Sequence, residues 1–101
     1  MIVIHATFPI DPDERERALE LAADLVAETT DEPGAIDYHA AIDIEDETVL
    51  RFIERYENAE AFEAHVDSAH FQSFAEQLPE LLAGEPEVLR LEVSDAIELE
   101  L

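Results

Sequence analysis

The sequence predicts an α+β sandwich of the ferredoxin-like type, and three observations carry that prediction. Stretches with a two-residue apolar period and many β-branched side chains alternate with stretches whose apolar residues recur every three or four positions. Their order is strand, helix, two strands, helices, strand. The two central strands are joined by so short a connection that only an antiparallel hairpin fits. With 101 residues, 48% of them apolar, the chain has material for one core and a single domain over 1–101.

Met1 to Phe8 alternates Ile2, Ile4, Ala6 and Phe8 with Val3, His5 and Thr7, which reads as a strand. Asp11-Pro12-Asp13-Glu14 then offers an N-cap acid, a proline at the first helical position and a third-position carboxylate, a capping-box start. The helix that follows places Ala18, Leu21, Ala22, Leu25, Val26 and Thr29 on one stripe, and Thr30-Asp31-Glu32-Pro33-Gly34 ends it. Ala35 to Asp43 is the second strand, with Ile36, Tyr38, Ala40 and Ile42 expected on one face. After the turn Ile44–Glu47, the strand from Thr48 to Glu57 sets Leu50, Phe52, Glu54 and Tyr56 against Val49, Arg51, Ile53 and Arg55.

Asn58 can cap a short helix to about Val66, and Ser68 a second to about Leu78 with Phe71, Phe74, Ala75 and Leu78 as its apolar stripe. Pro79 is expected to start a separate last turn and Gly84 to end it. Glu87 to Ser94 reads as a fourth strand. Ile97, Leu99 and Leu101 alternate with Glu98 and Glu100 in the tail, which predicts a fifth short strand over 96–101 added to a partner subunit. Helices on one side of a four-stranded sheet leave the second face, with Val49 and Ile53, wet; a sheet-to-sheet homodimer covers it.

The surface is extreme: 27 Asp and Glu against five Arg and no Lys, a formal charge of -22. Phosphate backbones require clustered cations, and Arg15, Arg17, Arg51, Arg55 and Arg90 are scattered among carboxylates, so nucleic acid and anionic membranes are excluded as partners. Acids spread over every segment, rather than gathered in a patch, point to adaptation to high salt. The N-terminal apolar run has no basic start and is short, so no signal peptide or membrane span is expected and the location is read as cytoplasmic. The absence of cysteine excludes thiolate metal sites and cysteine nucleophiles. Gly34 and Gly84 are the only glycines, so no glycine-rich phosphate loop exists and nucleotide cofactors are not expected.

Glu54 shares a strand face with Leu50, Phe52 and Tyr56, where a carboxylate must be paired or protonated. It is read either as a general base or histidine-orienting group or as a structural carboxylate. His65 and His70 stand five apart across the break at Ser68, too far for one helical face, yet able to converge where the helices meet. Imidazoles there can move protons near neutral pH or merely stitch the junction. His5 and His39 could approach one another across the sheet. No metal-ligand spacing is specific, and no metal is expected.

Glu32-Pro33-Gly34 followed by Tyr38, then Glu54-Arg55-Tyr56-Glu57, Ala61-Phe62-Glu63-Ala64-His65 and Ser68-Ala69-His70-Phe71 resembles the antibiotic biosynthesis monooxygenase domain family, within the dimeric α/β barrel superfamily. The resemblance implies a pocket between helices and sheet in each subunit of a homodimer. It also implies a cofactor-independent oxidation of a quinol-like or phenolic compound by molecular oxygen. On it His65 or His70 is the base, Glu54 its orienting partner, and Tyr56, Phe52, Phe62 and Phe74 the walls around a small apolar ligand. Family members acting on aromatic polyketides carry a Trp where Tyr56 stands. The haem-degrading branch fits poorly, with Thr7, His65 and Ala75 at its key positions. An isomerase branch acting on a phosphorylated autoinducer sugar shares the spaced histidines and would need a phosphate site from Arg51, Arg55 or Arg90. A non-catalytic binding module of the same fold is the remaining alternative.

Overall fold

A computed structural model describes all residues, 1–101, and bears out the fold class. Strand β1 (Ile2–Pro9) leads through a 3₁₀ turn (Pro12–Glu14) into helix α1 (Arg15–Thr30). Strands β2 (Ala35–Ile42) and β3 (Val49–Tyr56) form the hairpin, helices α2 (Ala59–Asp67) and α3 (Ala69–Leu81) follow, and β4 (Glu87–Glu92) closes the fold. The sheet is antiparallel with strand order β2-β3-β1-β4.

The helices cover one face of the sheet. Ile2, Ile4, Ala6 and Phe8 from β1 meet Leu50, Phe52, Glu54 and Tyr56 from β3 on that face, and Ala18, Ala22 and Leu25 of α1 with Phe74 and Leu81 of α3 close over them. Phe8, Phe52 and Phe74 pack edge to face or tilted with ring centroids 5.6–6.3 Å apart. The other face carries His5, Ile53, Arg51 and Arg55. Arg51 pairs with Asp43 and Arg55 with Asp37, at 2.8 and 2.6 Å.

Several local expectations are corrected. Asp11 does cap, accepting from the Asp13 amide at 2.9 Å, but it opens a 3₁₀ turn and no reciprocal side-chain bond closes a box. A bulge in β2 between Ala35 and Asp37 puts Ile36 out of register, so it is exposed while Tyr38 is buried. Pro79 lies inside α3 rather than starting a new turn. The helix is held across it because Leu81 is fully buried and its carbonyl accepts from the Asp11 amide at 2.8 Å. β4 ends at Glu92, and residues 96–101 have no strand partner within the chain. His5 and His39 are not neighbours, because both register on Ile53, which stands between them. No helix is long and apolar enough to cross a membrane.

Candidate active site

Two buried polar side chains, Glu54 and His65, break the apolar inner surface where α2 and α3 meet the sheet. Asn58 starts α2 by accepting from the Ala61 amide at 2.9 Å, which sets His65 in the last turn of that helix. Ser68 then serves both helices: its hydroxyl donates to the His65 carbonyl at 2.6 Å and accepts from the Phe71 amide at 3.2 Å. The sharp change of direction it imposes brings His70, at the start of α3, to within 6.0 Å of His65, ring centroid to ring centroid. The two histidines converge as the sequence suggested.

What they converge on is Glu32. Its Oε2 lies 2.8 Å from His65 Nδ1 and 2.5 Å from His70 Nε2, so one carboxylate oxygen accepts from both rings. Glu32 is delivered by the turn between α1 and β2, and Gly34 is what lets that turn lie against α2. A Cβ at position 34 would overlap the Ala61 methyl. Glu54 is therefore not the partner of either histidine. It stands two residues from Tyr56 on the same face of β3, and the Tyr56 hydroxyl donates to its Oε1 at 2.6 Å.

A cavity of about 200 Å³ lies between these helices and the sheet. Phe52, Phe62, Phe71 and Phe74 contribute to its walls, and Glu54, His65 and Tyr38 are the ionisable groups on them. Three of the four aromatic walls expected from sequence are thus in place. Tyr56 is not one of them: it is fully buried and spends its hydroxyl on Glu54. His70 does not line this cavity either; it opens on a groove between α1 and α3 that also holds Asp24, Glu28, Ser73 and Gln77. Phe71 and Tyr38 line the cavity without having been assigned to it from sequence. Glu32 was missed altogether because it read as part of a helix-terminating turn; its place in the Glu-Pro-Gly motif was the available signal.

Burial governs the electrostatics. It pushes the Glu54 carboxyl up to about 7, with the Tyr56 hydrogen bond partly offsetting and the Glu32 charge adding to the rise. His65 is 1% exposed, and burial lowers its affinity for a second proton although Glu32 opposes the effect. The Tyr38 and Tyr56 hydroxyls are raised by burial and by Glu54, which keeps both neutral. With His65 Nδ1–H given to Glu32, the remaining ring nitrogen, Nε2, is buried with no hydrogen-bond partner in the protein. A free imidazole acceptor and a carboxyl poised near neutrality on one apolar cavity can take a proton from a weak acid. The donor atoms of Glu32, His65 and His70 lie within 4.8 Å of one another and include the ligand types that bind transition metals.

The sequence profile of the family described as Antibiotic biosynthesis monooxygenase matches residues 1–77. A Bacillus subtilis (strain 168) protein named "Putative monooxygenase YcnE" is 32% identical over 95 residues, 94% of this chain and 100% of the relative. Among solved structures, Rv0793 from Mycobacterium tuberculosis matches with a TM-score of 0.90 at 26% identity, over 96% of this chain and 98% of that one. A conserved protein from Methanosarcina mazei Go1 matches with a TM-score of 0.87 at 26% identity, over 92% of both chains.

Proposed function

Because the chain belongs to the antibiotic biosynthesis monooxygenase family, we propose that it oxidises a small quinol-like or phenolic compound with molecular oxygen, without a cofactor. The observation that carries this reading is the aromatic-walled cavity with one unpartnered imidazole nitrogen, His65 Nε2, on a wall residue. Glu32 holds the His65 Nδ1 proton and so leaves the lone pair on Nε2. That nitrogen takes the phenolic proton, and the Glu32 carboxylate at Nδ1 offsets the charge this places on the buried ring. Glu54, its carboxyl pushed up to about 7 by burial, holds a second substrate hydroxyl.

The phenolate is electron-rich enough to reduce oxygen itself. One electron passes to dioxygen, the two radicals join in a carbon–oxygen bond, and loss of water leaves the ring oxidised. For a quinol the balance is quinol plus dioxygen to hydroxyquinone plus water, with one oxygen atom in each product. The walls supplied by Phe52, Phe62, Phe71 and Phe74 keep the anion dry while it reacts. The isomerase alternative finds less support. Arg51 and Arg55 lie on the far face in ion pairs, and Arg90 stacks 5.5 Å from the Phe62 ring centroid with its guanidinium toward Glu92.

The assembly that goes with this reading is a homodimer joined sheet to sheet. In its favour stands the outer face, where Ile53, Leu89 and Leu91 are 40–48% exposed although each is apolar. The exposed alternation of Ile97, Leu99 and Leu101 suits a strand added to the second copy. The charge of -22, spread over the chain, suits a salt-rich working solvent.

The test is incorporation of ¹⁸O from labelled dioxygen into a quinol's oxidation product by native protein, His65→Ala and Glu54→Gln. Label in the product with native protein, and its loss with His65→Ala, is the expected outcome. Ligand binding altered by both substitutions with no labelled product from the native protein would make this a binding module instead.

A further inference from the structure

We propose, resting on the reading above, that Glu32 and His70 form a proton path from His65, on the cavity, to the groove between α1 and α3. His70 is in this scheme a positioning residue that acts through Glu32 and touches no substrate.

The argument begins with where a proton taken by His65 can go. The ring is packed among Tyr38, Tyr56 and Phe71 at centroid distances of 5.0–5.4 Å, and its Nε2 has no partner to pass a proton to. Glu54 is a dead end, since its hydrogen bond is to Tyr56, which is fully buried. A substrate filling the cavity closes that side. The polar contact left to the ring is Nδ1–H to Glu32 Oε2 at 2.8 Å, and the same oxygen lies 2.5 Å from His70 Nε2. The far nitrogen of His70, Nδ1, is 3.9 Å from the exposed Glu28 carboxylate in the groove. Two hydrogen-bond contacts through one carboxylate oxygen thus join a buried wall to a partly exposed histidine in the groove.

The transfer balances as a shift of one position. With His70 carrying a proton on each nitrogen, His65 Nε2 gains the substrate proton and its Nδ1 proton moves to Glu32. Glu32 keeps that proton, His70 keeps the one on its Nε2, and the His70 Nδ1 proton leaves to water or to Glu28. One proton enters and one leaves, with no change in oxidation state; the same shift run in reverse returns a proton from His65 Nε2 to the peroxide oxygen as water is lost, which restores the starting tautomers and closes the quinol balance.

The experiment is the exchange rate of the His65 Nδ1 proton with water, followed by NMR on ¹⁵N-histidine-labelled protein, native and His70→Gln. Glutamine can still donate to Glu32 but cannot pass a proton on; His70→Asn replaces it should the glutamine variant fail to fold. Exchange slowed by at least about tenfold, and restored in proportion to added imidazole-type buffers across a range of buffer pKa, is the expected result. Exchange as fast as in native protein, or slowed without restoration by buffer, overturns the path. This readout needs no turnover, so it stands or falls separately from the monooxygenase reading. Where native protein does turn over a quinol, His70→Gln should show kcat limited by buffer concentration; kcat independent of buffer would count against the path.

Discussion

Replacing Glu54 by glutamine should stabilise the fold, and increasingly so as pH rises. Glu54 is 5% exposed on the inner face of β3, and burial raises its carboxyl from 4.5 to about 7. In the unfolded chain the group ionises near its ordinary value. Between the two pKa values the native state holds a proton that the unfolded state has released, so stability falls as pH rises through this window. The loss is complete once the folded group has ionised, above about 7. A rise of roughly two and a half units corresponds to about 3 kcal/mol. Glutamine keeps an oxygen to accept from Tyr56 and has no charge to bury.

The assay is urea unfolding of native and Glu54→Gln protein at constant high KCl, urea being used because guanidinium would change the ionic strength. The variant's stability relative to native should rise by roughly 3 kcal/mol between about pH 4 and about pH 8.5. Any pH-independent offset reports the altered Tyr56 hydrogen bond and leaves that rise unaffected. A difference that is flat with pH, or that moves the other way, would refute the assignment of Glu54 as a buried carboxyl with a raised pKa.

Gly34→Ala should cost about 1–3 kcal/mol, because the new methyl meets Ala61 on α2 rather than open space. It should also move the His65 imidazole resonances as Glu32 is displaced; an unchanged midpoint and spectrum would contradict the role given to this turn. All five arginines have acceptors within the chain, which leaves most of the 27 acids without a cation. The thermal midpoint should therefore climb by several degrees from about 0.1 M to about 1 M KCl, as the Debye length falls from roughly 10 to roughly 3 Å. A flat dependence would remove the salt-adaptation reading. Deleting residues 96–101 should weaken self-association in sedimentation equilibrium, and an unaltered association constant would show that the tail does not cross to a second copy.

The architecture was legible because each element announced itself locally. The alternation in β1 and β3, the Asn58 and Ser68 caps and the apolar stripes of α1 and α3 depend on nearest neighbours in sequence, and all are found in place. The misreadings share a different origin. The bulge that displaces Ile36 and the continuation of α3 through Pro79 are decided by contacts distant in sequence, with β3 in one case and Asp11 in the other. Convergence of His65 and His70 followed from the break between their helices, but the carboxylate that joins them lies 33 and 38 residues away. Spacing alone cannot reveal a partner at that separation. Glu54 was correctly singled out as a carboxylate on an apolar face, yet its neighbour at two residues, Tyr56, claimed it before any histidine could.

Oxygen uptake tests the central claim most directly. Purified, metal-stripped protein in high KCl would be presented with a panel of hydroquinones and dihydroanthraquinones, with heat-denatured protein as the control for autoxidation. Uptake above that control without added flavin or metal, abolished by His65→Ala, is what the account predicts. Uptake no faster than the denatured control across the panel, or uptake untouched by His65→Ala, would contradict it.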